Sequence, residues 1–161
     1  MIQDSQKNAV VLFSFGNYSF ALSKDYIVKI AHYFPLSSAC FLPKIFSGFF
    51  AFGKSHLPCL RLDRLIGCDD FEHIKQPQIM ILRSGLKSAK NKLGLLVDEI
   101  DATFVPRKEH LTPLRTELRK NKWLQGEIVF GEKSYLLIDQ NNLLLSIENY
   151  CLAEISNFSS L

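Results

Sequence analysis

The fold is decided by one stretch, Gly48-Phe49-Phe50-Ala51-Phe52-Gly53-Lys54-Ser55-His56-Leu57-Pro58-Cys59-Leu60-Arg61-Leu62. Two apolar segments of strand length flank Gly53-Lys54-Ser55, and glycine supplies the positive φ that a tight hairpin turn requires. Phe49, Phe50 and Phe52 cannot all lie on one face of a strand, because strand side chains alternate. We therefore expect this strand to be buried on both faces, or to meet a partner through one of them.

Two more hairpins are predicted, one near each end of the chain. The first turns at Gly16-Asn17 within residues 9–22, and the other turns at Gly131-Glu132-Lys133 within residues 123–139. Short strands at even intervals with few helices are typical of small β-barrels. Gly48 and Gly126 each begin a similar pattern of strand, turn, strand and helix, which two barrels of similar build would produce.

The remaining segments complete a mainly β protein. Ser23 begins either a capped helical turn or a turn that leads into a strand ending near Ile30. The other predicted elements are a linker over 69–77, a strand over 78–82, a strand over 92–100 that continues to 105 past a bulge at Asp101, and a helix over 141–155.

Length and composition indicate a soluble folded protein. The 161 residues suffice for one domain or two small subdomains, and 47% of them are hydrophobic against 22% charged. A net charge of +3 is too small to indicate a nucleic-acid partner by itself. Without a signal pattern or an uninterrupted apolar run of about 18 residues, a cytoplasmic location is expected.

The sequence offers little catalytic or metal-binding chemistry. Its four cysteines follow no C-x-x-C spacing and are expected to be reduced thiols. His56 with Cys59, and Cys68 with His73, lack a second half-site, so we expect no metal and no other cofactor. Because adjacent strand residues face opposite sides, the pair Asp98-Glu99 does not indicate acid–base catalysis. These observations favour a binding protein over an enzyme.

Basic loops over 87–92 and 115–122 leave a second function open. A small β-barrel could bind nucleic acid through them, although they lack the interleaved aromatic residues that stack bases. The residues that this alternative uses are Lys87, Lys90, Lys92, Arg115, Arg119 and Lys120. An enzyme with an unrecognised site is the least favoured alternative.

Four segments together resemble the CheW-like domain, the coupling module of bacterial chemosensory arrays, over about residues 10–147. They are the hairpin over 12–22, Gly48 followed by Leu57-Pro58, the run Leu93-Gly94-Leu95-Leu96-Val97-Asp98-Glu99-Ile100, and Gly126 followed by Leu137-Ile138-Asp139. In this order and spacing the set is fairly specific.

The resemblance implies a fold and a function. The fold is two SH3-like five-stranded β-barrels that share an apolar seam, with a C-terminal helix. The domain spans 9–150, with subdomains over about 9–70 and 76–145 that could exchange strands, and a tail over 151–161. The function is a non-enzymatic adaptor. It joins a chemoreceptor's cytoplasmic helical tip to the regulatory domain of a CheA-type histidine kinase, with the receptor helix in an apolar groove between the barrels.

The resemblance also predicts two partner-binding sites. The predicted receptor groove comprises Ile27, Lys29, Phe50, Phe52, Gly53, Lys54, Pro58 and Arg61. The predicted site for the kinase regulatory domain comprises Val97, Asp98 and Glu99.

Three polar positions depart from the family pattern. Lys29 replaces a common glutamate, Gly53 replaces an arginine, and Arg61 replaces an aspartate, while the apolar residues around them are kept. We interpret this as a retained fold with an altered partner surface. A type IV pilus chemosensory system fits these departures, and so does a decayed coupler that binds weakly.

Overall fold

The computed structural model describes residues 8–32, 35–38, 42–67, 77–83 and 92–159, with side chains up to residue 154. These residues form two β-sheets and a long C-terminal helix. The fold is therefore mainly β, as predicted. Most of the linker predicted over 69–77 and most of the basic loop over 87–92 lie outside the described residues.

The described strands follow one another in short steps. They are β1 (Val10–Phe15), β2 (Tyr18–Ser23), β3 (Ile27–His32), β4 (Phe46–Phe52), β5 (Ser55–Leu60), β6 (Gln78–Arg83), β7 (Lys92–Val97), β8 (Glu99–Phe104), β9 (Leu111–Thr112), β10 (Leu124–Phe130) and β11 (Lys133–Ile138). The helices are α1 (Leu62–Ile66) and α2 (Gln140–Ser159), and 3-10 turns occupy Lys24–Tyr26, Lys108–His110 and Thr116–Leu118.

The strands of the two sheets are interleaved along the chain. Sheet I has the order β8-β1-β2-β11-β10-β9, and sheet II has the order β3-β6-β7-β5-β4. The chain leaves sheet I after β2 and returns to it after β7. Each sheet therefore contains strands from both sides of residues 70–76, and the subdomain division at that point stays a prediction.

The two sheets repeat one pattern of pairing. In sheet I, β2 and β11 run parallel, with Phe20 opposite Leu136, and in sheet II β7 and β5 run parallel, with Gly94 opposite Cys59. The hairpins β4–β5 and β10–β11 are both irregular beside a glycine, at Gly48 and Gly126. The similarity between these two segments of sequence thus has a structural counterpart.

The core has two parts. The large cluster draws on both sheets and contains Phe13, Phe20, Leu60, Met80 and Trp123 among its fully buried side chains. The smaller cluster belongs to sheet I alone and consists of Val10, Leu12, Ala21, Ile128 and Tyr135. Sheet I therefore buries both of its faces, one on each cluster.

The segment predicted as one strand over 92–105 is divided between the sheets. β7 ends at Val97 in sheet II, the N–H of Asp98 donates to Ser14 O at 2.8 Å, and β8 then begins in sheet I. The single-strand prediction was wrong because the chain turns at Asp98. The predicted bulge at Asp101 is confirmed, since Leu12 pairs with Ala102 and Phe13 with Ile100.

The C-terminal helix is present and is longer than predicted. α2 runs from Gln140 to Ser159, whereas the sequence indicated 141–155. Residues 151–159, which were expected to form most of a tail, continue this helix.

Candidate partner-binding site

The edge strand β3 presents apolar side chains to solvent. Its pairing with β6 shifts register between Ile27, opposite Leu82, and Lys29, opposite Ile81. This bulge at Val28 places Ile27 and Ile30 on one face of the sheet and Lys29 on the other. Val28 and Ile30 are 36% and 40% exposed, so this edge presents two large aliphatic side chains close together to solvent.

The edge strand β8 of sheet I also contains a bulge, as β3 does. Its bulge at Asp101 leaves Ile100 opposite Phe13 and Thr103 opposite Val11, on the face of the large core cluster. Ile100 is half-buried against this cluster, as Ile27 is. Each edge strand therefore starts directly after the chain crosses between sheets and carries an isoleucine packed on the shared core.

Phe50 and Val97 were wrongly predicted as surface contacts. Phe50 is 3% exposed and Val97 is fully buried, and both belong to the large core cluster. The sequence had left open whether the strand with three phenylalanines was buried on both faces or met a partner. For Phe50 the first alternative holds, because its side chain is buried in the core.

Arg61 is held inside the protein, which corrects its prediction as a groove residue. Its guanidinium donates to both carboxylate oxygens of Asp63, at 3.1 and 2.6 Å, and its Cζ lies 5.7 Å from the ring centroid of Phe15. The side chains of Arg61 and Asp63 are only 14% and 4% exposed. The charge of Arg61 is therefore neutralised by Asp63, two residues along the chain.

The tip of the β4–β5 hairpin is open to solvent. Gly53 (φ 60°) and Lys54 form the turn and are exposed, while Phe52 and Pro58 are half-buried. The ammonium of Lys92 lies 5.3 Å from the ring centroid of Phe52. Lys92 is therefore engaged by a neighbouring aromatic ring.

The two acidic residues predicted to face the kinase differ in exposure. Asp98 is half-buried where the chain crosses between sheets, and Glu99 is exposed at the start of β8. Both lie beside Ile100, so the predicted kinase residues and the apolar edge of sheet I are neighbours.

The basic segment over 115–122 is partly structural. The guanidinium of Arg115 and its backbone N–H both bind the carboxylate of Glu127, which also accepts from Ser134 Oγ at 3.0 Å. These contacts, first the hydrogen bond from Arg115, hold the pKa of Glu127 below its usual value, although burial opposes them. Arg119 Nε donates to Leu114 O at 2.9 Å. These interactions engage two of the six residues that the nucleic-acid alternative uses, whereas Lys120 is exposed, and Lys87 and Lys90 lie outside the described residues.

Ile30 and Ile100 are the candidate residues that the sequence prediction missed. Simple alternation along β3 puts Ile27 with Lys29, and only the bulge at Val28 moves Ile30 to the face of Ile27. The β-branched run over 27–30 was the available signal, and it predicted the strand without its irregularity.

The two interleaved β-sheets match a fold of two SH3-like β domains, and this fold defines the class of the protein. The chain belongs to the CheW-like domain family, whose sequence model matches residues 9–148. This family consists of non-enzymatic scaffolds and adaptors of chemotaxis.

Comparison with solved structures supports the fold. The chain is similar to the scaffolding protein TtCheW from Thermoanaerobacter tengcongensis, with a TM-score of 0.69 and 16% sequence identity. The similarity covers 83% of this chain and 89% of that one. No curated protein matches the chain in sequence. Among the described residues, no helix has the length and apolar character needed to cross a membrane.

Proposed function

We propose that this protein couples the cytoplasmic helical tip of a chemoreceptor to a CheA-type histidine kinase. One observation carries the proposal: the edge strand β3 exposes Val28 and Ile30 next to the half-buried Ile27. Apolar side chains that are exposed next to one another mark an interaction site more often than single scattered ones do, and Val28 and Ile30 lie close together on one edge strand. A receptor helix with an apolar stripe is the partner that this family membership suggests.

The proposed receptor groove runs between the edges β3 and β8. We assign Ile27 and Ile100 to its floor, since each is half-buried on an edge strand and packs on the large core cluster. Val28 and Ile30 form one wall, and Lys29 lies on the far face of the same strand. Phe52, Gly53, Lys54 and Pro58 stay in the proposal as a second contact at the hairpin tip.

The proposed kinase contact includes Asp98 and Glu99. The family resemblance implies pairing between this domain and a homologous regulatory domain of the kinase. Glu99 is exposed and precedes Ile100, so the kinase site would adjoin the receptor groove. A short distance between the two sites suits a protein that must transmit a receptor's state to a kinase.

We further propose that the chemosensory system is not a typical flagellar one, and a type IV pilus system fits. Arg61 carries little weight in this argument, because Asp63 neutralises it inside the protein. Lys29 and Gly53 remain, and both are exposed. A glutamate-to-lysine change on an exposed edge strand reverses the charge that a partner meets. Receptor tips and kinase both lie in the cytoplasm, so the proposal places this protein there.

The test is calorimetric titration against two partners from the same cell, the regulatory domain of the CheA-type kinase and a soluble receptor tip. We expect micromolar or tighter binding to each. Ile30→Asp and Val28→Asp should abolish receptor binding, because each places a charge in an apolar contact. Val129→Asp is the matched control, since Val129 is 38% exposed on β10 of the other sheet.

Two outcomes would contradict the proposal. If the folded parent protein bound neither partner, the family's fold would serve another purpose in this protein. Equal receptor binding by Val28→Asp, Ile30→Asp and Val129→Asp would remove β3 from the receptor site. Circular dichroism of each variant separates these results from loss of folding.

A further inference from the structure

The C-terminal helix α2 carries apolar side chains on two opposite sides. On one side, Leu143, Ile147 and Tyr150 pack on the large core cluster. On the other side, Leu145 and Leu152 lie two helical turns apart and are 55% and 61% exposed. No other large hydrophobic side chain among the described residues is as exposed as these two. A spacing of seven residues is the one at which a helix contacts another helix packed along it.

This outer face of α2, defined by Leu145, Glu148 and Leu152, is held in place by the rest of the protein. Near the start of the helix, Gln140 Nε2 donates to Arg83 O at 3.0 Å. Near residue 154, the carboxylate of Glu154 accepts from the backbone N–H of Lys44 at 3.2 Å. The helix is therefore fixed at both ends of this stretch, and a partner would meet a surface that is already formed.

The outer face is negatively charged. Glu148 is exposed and lies three residues after Leu145 and four before Leu152, a spacing that places all three on one side of the helix. No lysine or arginine in the described parts of the chain forms an ion pair with Glu148. The sequence from residue 140 to residue 161 contains no basic residue at all.

This charge distinguishes between the partners that could cover such a face. A second copy of the chain would place the same acid, with no base beside it, against itself, and like charges brought together are unfavourable. An anionic membrane surface and a nucleic acid both attract basic segments, which this face lacks. A helix with basic residues between its apolar ones complements both the leucines and Glu148.

We propose that the outer face of α2 binds an amphipathic helix of a partner protein, with apolar residues at seven-residue spacing and lysine or arginine between them. The apolar residues would pack on Leu145 and Leu152, and a basic side chain would pair with Glu148. None of these residues belongs to the receptor groove or the kinase contact proposed above.

The test uses two synthetic helical peptides of about three heptads, each with one leucine per heptad. One peptide has lysine at two further positions of each heptad and alanine elsewhere, and the other has glutamate in place of every lysine. Isotope-labelled protein is titrated with each peptide, and backbone amide chemical shifts are followed. We expect saturable shifts at Leu145, Glu148 and Leu152 with the lysine peptide and none with the glutamate peptide. Absence of saturable shifts with the lysine peptide, or equal shifts with both, would overturn the proposal.

Variants then test the named residues. Leu145→Gln and Leu152→Gln should each weaken binding of the lysine peptide about tenfold, because each removes apolar surface from the contact. Glu148→Lys should reverse the preference, so that the glutamate peptide binds more tightly. Val129→Gln, at a residue 38% exposed on β10, and Glu132→Lys, in an exposed turn, are the matched controls and should bind like the parent. Unchanged binding by both leucine variants, shown to be folded by circular dichroism, would contradict the proposal.

Sedimentation velocity tests whether a second copy covers the outer face instead. We expect the parent and Leu145→Gln to sediment alike, as monomers. A dimer of the parent that Leu145→Gln dissociates would show that the face binds itself, and would overturn the assignment to a basic partner helix.

Discussion

Gly94 on β7 lies directly beneath the ring of Phe50 on β4. A Cβ atom at residue 94 would lie 2.8 Å from Phe50 Cζ, still closer to its Cε1, and 3.0 Å from Ile79 Cγ2. The two residues are on strands separated by β5, so the ring reaches across the inside of sheet II. This contact explains both the glycine in the run 93–100 and the burial of Phe50.

Gly94→Ala is therefore expected to destabilise the protein by about 1–3 kcal/mol, the usual cost of overpacking. The methyl group has no space unless the Phe50 ring or Ile79 moves. Chemical denaturation monitored by circular dichroism measures the change in unfolding free energy.

The matched control is the double variant Gly94→Ala, Phe50→Leu. Removing the ring should make the added methyl group less costly, so the two changes should be non-additive. Additive costs would show that the ring is not what restricts residue 94.

Arg61→Ala should cost about 3–5 kcal/mol, because it leaves the Asp63 carboxylate buried without its partner. Asp63 has 4% of its side chain exposed, so water cannot replace the guanidinium. Urea denaturation measures the loss.

Glu109→Ala is the control for Arg61→Ala. It removes an ion pair with Arg107 at 4.0 Å in which the side chains are 80% and 70% exposed. Such a pair is worth little, so the expected change is within about 0.5 kcal/mol. A similar cost for both variants would refute the view that burial gives the Arg61–Asp63 pair its importance.

Much of the fold could be predicted because it depends on local signals. Glycine turns at Gly16, Gly53 and Gly131 each have positive φ and each join a hairpin. Gly67, with φ 95°, ends α1 in the same way. These positions are set by the backbone freedom of glycine, which is visible in sequence.

The interleaving of the sheets could not be predicted in the same way. Nothing in the run around Asp98 distinguishes a continuous strand from one that leaves sheet II and enters sheet I. The Arg61–Asp63 pair and the bulge at Val28 also depend on tertiary context. As a result the sequence prediction assigned Phe50, Val97 and Arg61 to the surface and missed Ile30 and Ile100.

The stability of the protein should depend on Glu127 in acid. Its pKa in the folded state lies below the ordinary value of 4.5, first because of the hydrogen bond from Arg115. A depressed carboxyl pKa contributes stability that is present above about pH 4.5 and is lost as pH falls through the folded value. Glu127→Gln should therefore be less stable than the parent at neutral pH, with the difference shrinking as the pH falls below about 4.5.

Thermal unfolding at several pH values measures this difference. Glu132→Gln, in the exposed turn between β10 and β11, should follow the parent at every pH. If the difference in stability between the parent and Glu127→Gln did not change with pH, the charge of the carboxylate would contribute nothing to stability.

The two described cysteines should differ in reactivity. Burial raises the pKa of the Cys59 thiol to about 12, whereas Cys151 is partly exposed and its pKa is raised to a smaller extent. At pH 8 the thiolate fraction of Cys59 is on the order of 10⁻⁴. Maleimide labelling of the native protein, mapped by mass spectrometry, should modify Cys151 and leave Cys59 unmodified until urea is added. Equal labelling rates in the native state would contradict the burial of Cys59.

The charge at Lys29, on the face of β3 opposite Ile27 and Ile30, should shift receptor preference through the electrostatic field at this edge rather than by contact in the groove. Lys29 is exposed on β3, and no described residue forms an ion pair with it. Restoring the family's glutamate by Lys29→Glu should weaken binding to the receptor tip from its own cell about tenfold, ~1.4 kcal/mol, and strengthen binding to a tip from a typical flagellar system. Lys108→Glu, which makes the same charge change on an exposed turn far along the chain, controls for net charge. Both effects should diminish at high salt, because exposed charges are screened. If Lys29→Glu and Lys108→Glu gave equal affinities for both tips, the altered charge on β3 could not explain the choice of partner.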